Sequence, residues 1–172
     1  MTVSIVLTVI ILLVADGWDI KTGTIPNYIT IPAILAGLLL SVYYGGFLGL
    51  KDSFFGAGLG LLLLIIPFAL GGIGGGDVKL MAAIGALNGW EFTLYAFLYS
   101  AIIGGIMALA ISIWNKKLSQ VFFNILMQFT TGQFKIEEGE KSPLSSGLSF
   151  PYGIAIMIGT CMAYWFRYRG VF

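Results

Sequence analysis

Leu70-Gly71-Gly72-Ile73-Gly74-Gly75-Gly76-Asp77-Val78-Lys79 separates two apolar runs, each oily enough to lie in a bilayer. Glycine, lacking a Cβ, permits tight turns and the close approach of another chain, so this run ends one helix and opens the next. It also sets one carboxylate, Asp77, at the edge of hydrocarbon, where acids are expensive and functional by default. Fold and chemistry meet in this stretch.

Outward from it, hydropathy marks an all-α, polytopic bundle of about six transmembrane spans. The expected helices cover 3–19, 26–44, 53–70, 78–87, 91–114 and 151–165. Gly23 and Pro26 punctuate the first turn, and proline suits the opening of the second helix, where its missing N–H is not needed. Gly45-Gly46 ends the second helix, and Pro67 predicts a kink near the end of the third. The fourth, over 78–87, extends only about 15 Å, which predicts a partial span or a start deep in the membrane. The N-terminal span has no basic residue before it and no small-residue cleavage site after it, so it reads as a retained helix.

Composition agrees: 58% of residues are apolar and 10% charged, the balance of an integral membrane protein. A single membrane-embedded domain over 1–172 is expected. Its one departure lies at about 115–149: Lys116-Lys117 leads into an amphipathic stretch over 118–129, suited to the interface. A polar loop over 130–149 carries Glu137, Glu138 and Glu140. Trp18, Trp90, Trp114 and Trp165 fall near span ends, as an interfacial belt requires. Gly56, Gly58, Gly60 and Gly104-Gly105 are expected to permit close helix packing, and Cys161 to pack in the last helix as a small apolar residue.

Orientation follows the basic residues. The first, third and fifth connections collect Lys21, Lys79, Lys116, Lys117, Lys135 and Lys141, against Lys51, Arg167 and Arg169 on the other side. Six against three places the glycine turn at the cytoplasmic face of the cell membrane. A net charge of +1 without a dense basic cluster gives no case for a nucleic-acid partner.

The chain has one cysteine and no histidine, which removes an internal disulfide, the usual zinc ligands and any histidine base. No metal or cofactor is expected. Acid–base chemistry falls to carboxylates, lysines or tyrosines. Asp16, Asp19 and Asp77 lie near one membrane face in the six-span reading. Two facing carboxylates can hydrolyse a peptide: one, ionised, takes a proton from water while the other, protonated, donates to the carbonyl.

At these residues the chain resembles a family. Asp19-Ile20-Lys21-Thr22-Gly23-Thr24-Ile25-Pro26-Asn27, then Gly74-Gly75-Gly76-Asp77-Val78-Lys79-Leu80 and the late Pro151-Tyr152-Gly153, resemble in order the motifs of the type IV prepilin peptidases. The resemblance implies an aspartyl endopeptidase with Asp19 and Asp77 as its catalytic pair. Asp16 competes for the first place, being three residues earlier on a similar face, but its spacing to Pro26-Asn27 does not fit the family pattern. The alternative for Asp16 is a solvated acid near the helix end. Gly74 and Gly76 either make a turn or let a substrate strand approach. Lys79 pairs with a carboxylate, biases the dyad or anchors at the interface. Pro26 and Asn27 are expected to be structural, with Asn27 bonding exposed backbone groups.

The implied partner is a prepilin-like protein with a short basic leader before an apolar helix, cleaved at the cytoplasmic membrane face. Longer relatives in the family carry a cysteine-containing N-methylation module, for which this chain has neither cysteines nor length; a short peptidase form is expected. A small proton- or cation-coupled transporter subunit using the same acids is the alternative, since broken helices and intramembrane acids are common there. No paired repeat supports it.

Overall fold

The structure, a computed structural model, describes residues 2–69, 72–114 and 152–170. The described residues form helices and turns with no strand: α1 (Thr2–Thr22), α2 (Asn27–Ala69), α3 (Gly75–Asn88), α4 (Trp90–Trp114) and α5 (Tyr152–Tyr168). The amphipathic segment and loop expected over 115–149 lie outside the described residues.

α1 ends where the sequence placed a turn. Gly23 takes a left-handed φ of 70° and donates its N–H to the carbonyl of Asp19 at 2.7 Å, the usual way a glycine closes a helix. Asn27 then opens α2, directly after Pro26. α2 runs for 43 residues but leaves helical geometry at Gly46 (φ 56°, ψ −140°), a conformation that side-chain-bearing residues rarely adopt. The legs over 27–45 and 47–69 are roughly 29 and 35 Å long at the helical rise. They fold back on each other, because a Cβ at Gly49 would strike the carbonyl of Ser41.

α3 lies against both legs. Asn27 meets Lys79 and Gly37 meets Ala86, so the first leg runs parallel to α3. On the second leg Ser53 Oγ donates to the carbonyl of Ala86 at 2.5 Å, and Gly60 faces Met81, so that leg runs antiparallel. α4 starts directly after Gly89, and α5 packs antiparallel on it. Phe92 and Tyr164 rings lie 4.5 Å apart and Tyr99 stacks on Phe166 at 5.3 Å. Gly159 sits on the backbone of Ser100. Asn88 Nδ2 donates to Thr8 Oγ1 at 2.9 Å and Tyr164 OH to Asn88 Oδ1 at 2.7 Å, which ties α1, α3 and α5 together.

Enclosure explains why α3 is apolar on every face. All side chains from Leu80 to Leu87 are buried. Outward-facing residues of the longer helices are the reverse: Leu13, Leu39, Ile66 and Ile102 are exposed, as residues facing lipid are. Among the described residues, three helices are long and apolar enough to cross a membrane: Val3–Thr22, Asn27–Ala69 and Trp90–Ala110. α2 holds the second and third expected spans in one element, while α3, at 14 residues, is roughly 21 Å long. It also begins three residues before the expected 78, so Gly75 and Gly76 belong to the helix.

The packing glycines divide. A Cβ at Gly60 would lie 2.6 Å from the carbonyl oxygen of Met81, and one at Gly104 would lie 2.6 Å from the ring of Tyr152. Gly56 likewise abuts the backbone of Gly85. Gly58 and Gly105 face open space, a correction to their expected packing role: they lie on the faces of α2 and α4 turned away from the helices that Gly60 and Gly104 meet. Cys161 also departs from expectation. It is exposed, because its side of α5 borders a cavity instead of a neighbouring helix.

Gly60→Ala is expected to destabilise the bundle by about 1–3 kcal/mol, since backbone must move to admit the methyl. Gly58→Ala, two residues away, should be neutral or stabilising by up to about 1 kcal/mol through helix propensity. Thermal unfolding of both variants in detergent reads the contrast.

Candidate active site

One end of the bundle gathers the last turn of α1, the first turn of α3 and the first turn of α5. Each contributes polar groups to an otherwise apolar interior. α1 supplies Asp16, 5% exposed, and the half-buried Asp19. Their spacing of three puts them on one helix face. α3 supplies Asp77, 6% exposed, and α5 supplies Tyr152 and Gly153.

Asp77 is fixed by its own helix end. It occupies the third position of α3, and its Oδ2 accepts the N–H of Gly74 at 3.1 Å, while its backbone N–H donates to the Gly74 carbonyl at 3.2 Å. This is the carboxylate half of a reciprocal cap, favoured also by the positive end of the helix dipole. Oδ1 has no hydrogen-bond partner among the described residues. One oxygen holds the side chain in place and the other is free for chemistry.

Gly76 sets the depth of α3. A Cβ there would lie 2.7 Å from Ile25 Cβ and 3.0 Å from its backbone N. The start of α3 is thus pressed against the Ile25-Pro26 turn, which follows α1 directly. Phe68, at the end of α2, covers Gly75 from the other side, its ring 3.3 Å from where a Cβ would be. Lys79 Nζ donates to Asn27 Oδ1 at 2.7 Å, joining the start of α3 to the start of α2. Of the roles expected for Lys79, pairing with a carboxylate is therefore not the one adopted, and Asn27 bonds a side chain instead of backbone.

Asp19 and Asp77, distant in sequence, come within electrostatic reach of each other, and Asp16 also acts on Asp77. Tyr152 feels the Asp77 carboxylate. The two acids of α1 converge on Gly153: a Cβ there would collide with Asp16 Oδ1 and lie 3.7 Å from Asp19 Oδ2. Of the two readings of Asp16, a competitor for the first catalytic place or a solvated acid near the helix end, the solvated one is excluded: its face of α1 is turned toward α5, and the missing side chain of Gly153 leaves room for the carboxyl. Neither Asp16 oxygen has a hydrogen-bond partner among the described residues. Its spacing to Asp19 was the available signal; which face of α1 turns inward was not legible. Tyr152 was quoted only as part of a motif, and its nearness to Asp77 had no signal at all.

Among the described residues no three of His, Cys, Asp and Glu are grouped to hold a metal ion. The arrangement offers proton donors and acceptors of carboxyl type at the end of an apolar bundle. A cavity of about 860 Å³ lies at the opposite end, bordered by Ser4, Asp52, Asn88 and Arg167, and none of the three acids lines it.

Comparison with known proteins matches residues 6–109 to the model of the type IV leader peptidase family, a stretch holding Asp16, Asp19 and Asp77. The chain is 34% identical over 114 residues to the prepilin leader peptidase/N-methyltransferase of Burkholderia pseudomallei strain K96243, covering 62% of this chain and 36% of that protein. It is 36% identical over 106 residues to the protein of that name from Bacillus subtilis strain 168, covering 58% and 41%. For the Escherichia coli K12 protein of that name the identity is 37% over 95 residues, covering 51% and 41%. The chain thus spans about two fifths of the length of these relatives. No solved structure matches it. With more than half its length matched by the family model, this chain belongs to the type IV leader peptidase family.

Proposed function

We propose that the chain is a membrane-embedded aspartyl endopeptidase that removes the leader from prepilin-like proteins, with Asp19 and Asp77 as its acid–base pair. The observation that supports the reading is that these two carboxyls, from separate helices, lie toward one end of the bundle and within electrostatic reach of each other. Family membership supports the reaction class. An end-of-bundle position favours hydrolysis over transport, since transporter sites lie near the midplane.

In the proposed cycle the ionised carboxylate removes a proton from water, and the resulting hydroxide oxygen bonds to the scissile carbonyl carbon. The second, protonated carboxyl gives its proton to the carbonyl oxygen. Collapse of the tetrahedral intermediate breaks the C–N bond: the amine leaves with a proton from the carboxyl that first took one, and a hydroxyl of the intermediate returns its proton to the second carboxylate as the C=O bond re-forms. Two close carboxyls divide these roles because like charges at short range cannot both ionise readily.

The substrate is a protein with a short basic leader and an apolar helix, and it is cleaved at the cytoplasmic face. Its apolar helix lies in the bilayer beside the enzyme, and confinement there raises the chance that the scissile bond meets the pair. The extended segment passes Gly74, whose backbone is exposed. Lys79, held by Asn27, flanks this path, and Gly76 serves it by seating α3 against Ile25. Counting both legs of α2 and the shorter α3 and α5, the chain crosses about six times. The site is then on the side that collects six of nine basic residues, in the cell membrane.

Asp19→Asn and Asp77→Asn should each lower cleavage of a leader-bearing pilin-like substrate by about 10³-fold or more in reconstituted vesicles. Thermal unfolding should show both variants folded. Cleavage retained by either folded variant would overturn the pair. Gly76→Ala should reduce cleavage by about tenfold or more by shifting Asp77 relative to Asp19, whereas Gly74→Ala, whose methyl would meet Asp77 Oδ2 at 3.3 Å and the backbone N of Gly76 at 4.0 Å, should be the milder change. Initial rates measured side by side decide the order.

A further inference from the structure

Asp16 has no part in the reaction as drawn, yet it is the most costly residue of the site to keep. It is 5% exposed, sits within an apolar helix, and neither of its oxygens meets a hydrogen-bond donor among the described residues. A buried polar group left without a partner is destabilising, and a carboxyl in a membrane segment more so. An alanine in its place would avoid that penalty and suits a helix better.

Three observations say where its unused bonding capacity is directed. Asp16 lies one turn from Asp19 on the same helix face and within electrostatic reach of both Asp19 and Asp77. Asp77 Oδ1, also buried, likewise has no hydrogen-bond partner among the described residues. Gly153 abuts Asp16 Oδ1 so closely that any side chain there would displace the carboxyl. Buried carboxyl oxygens that lack a hydrogen-bond partner among the described residues are the setting in which ordered water is held.

We propose that Asp16 is a positioning residue for the acid pair: its carboxyl, lodged on Gly153, hydrogen-bonds through water to Asp19 and Asp77 and fixes the orientation in which they act. This inference rests on the assignment of Asp19 and Asp77 as the reacting pair. Asp16 touches neither the substrate nor the attacking oxygen. It is retained against the stability of the helix because it holds the groups that do, the pattern expected where a local rule is broken at a functional site.

The test is steady-state cleavage of a peptide carrying a basic leader and an apolar helix by the full chain in lipid vesicles, paired with thermal unfolding. Asp16→Ala should lower kcat by about tenfold and leave KM within about twofold, with an unfolding midpoint unchanged or raised. Asp16→Asn, whose amide still bonds water, should recover much of kcat. The infrared C=O band of the carboxyls should shift in Asp16→Ala and less in Asp16→Asn. Gly153→Ala, which displaces the carboxyl, should lose activity like Asp16→Ala and cost little more when combined with it.

An unchanged kcat in Asp16→Ala would overturn the inference, as would a midpoint that falls in step with activity. Loss as complete as that of Asp19→Asn would also overturn it, because Asp16 would then be a reacting acid. Should Asp16→Ala not fold, Asp16→Asn and Gly153→Ala carry the same comparison. In the same assay, wild-type rates for Asp19→Asn or Asp77→Asn would instead overturn the reading of the pair itself, so the two failures are separable.

Discussion

A short helix enclosed by its neighbours is the constraint on which this fold depends. α3 has no face for lipid, so its backbone and side chains must be met on every side by protein. The two legs of α2 do most of this, one running with α3 and one against it, and the break at Gly46 allows a single chain segment to supply both. Close approach then follows as a requirement. Gly37, Gly56 and Gly60 present bare backbone to α3, and dispersion over such contacts replaces the hydrophobic drive that lipid cannot provide between helices.

Enclosure also sets the chemistry. Because α3 starts inside the bundle, its first residues deliver Asp77 to a place water does not freely reach, and the N–H of Gly74 holds one carboxylate oxygen there. α1 ends at the same level, stopped by the Gly23 turn, and brings Asp19 and Asp16. α5 begins there, with Gly153 giving the acids of α1 somewhere to go. Three helix ends meeting at one depth accomplish what one loop could not: they hold several acids close together on rigid elements, with their rotamers limited by packing.

Much of this was legible in the sequence. Hydropathy located the helices, the pair Gly45-Gly46 located the break in α2, and Gly23 and Pro26 located the first turn. The motif around Asp77 located that acid at the opening of a helix, and family membership is established by the match over 6–109. What escaped was facing. Gly58 and Gly60 look alike in a sequence, yet only Gly60 lies under α3. Cys161 has the composition of a packing residue and faces a cavity. Asp16 looks like a helix-end acid and is buried, because the rotation of α1 is decided by α5, well over a hundred residues later. In lipid the pattern of apolar residues carries little rotational information, since both the inward and the outward face are apolar. Contacts between distant segments decide what periodicity cannot.

The chain of hydrogen bonds from Thr8 through Asn88 to Tyr164 has a mechanical consequence. It clasps α1 and α3, which carry the acids, and α5, which receives those of α1, at the end remote from the acids. From Thr8 to Asp19 the axis of α1 measures about 16 Å, so the clasp is a pivot and α1 a lever arm. A tilt of roughly 5° about it carries Asp19 by about 1.4 Å over that arm. That displacement spans the difference between carboxyls in register and carboxyls out of register. The bundle is built as tweezers, sprung at Asn88 and with the acids at its tips.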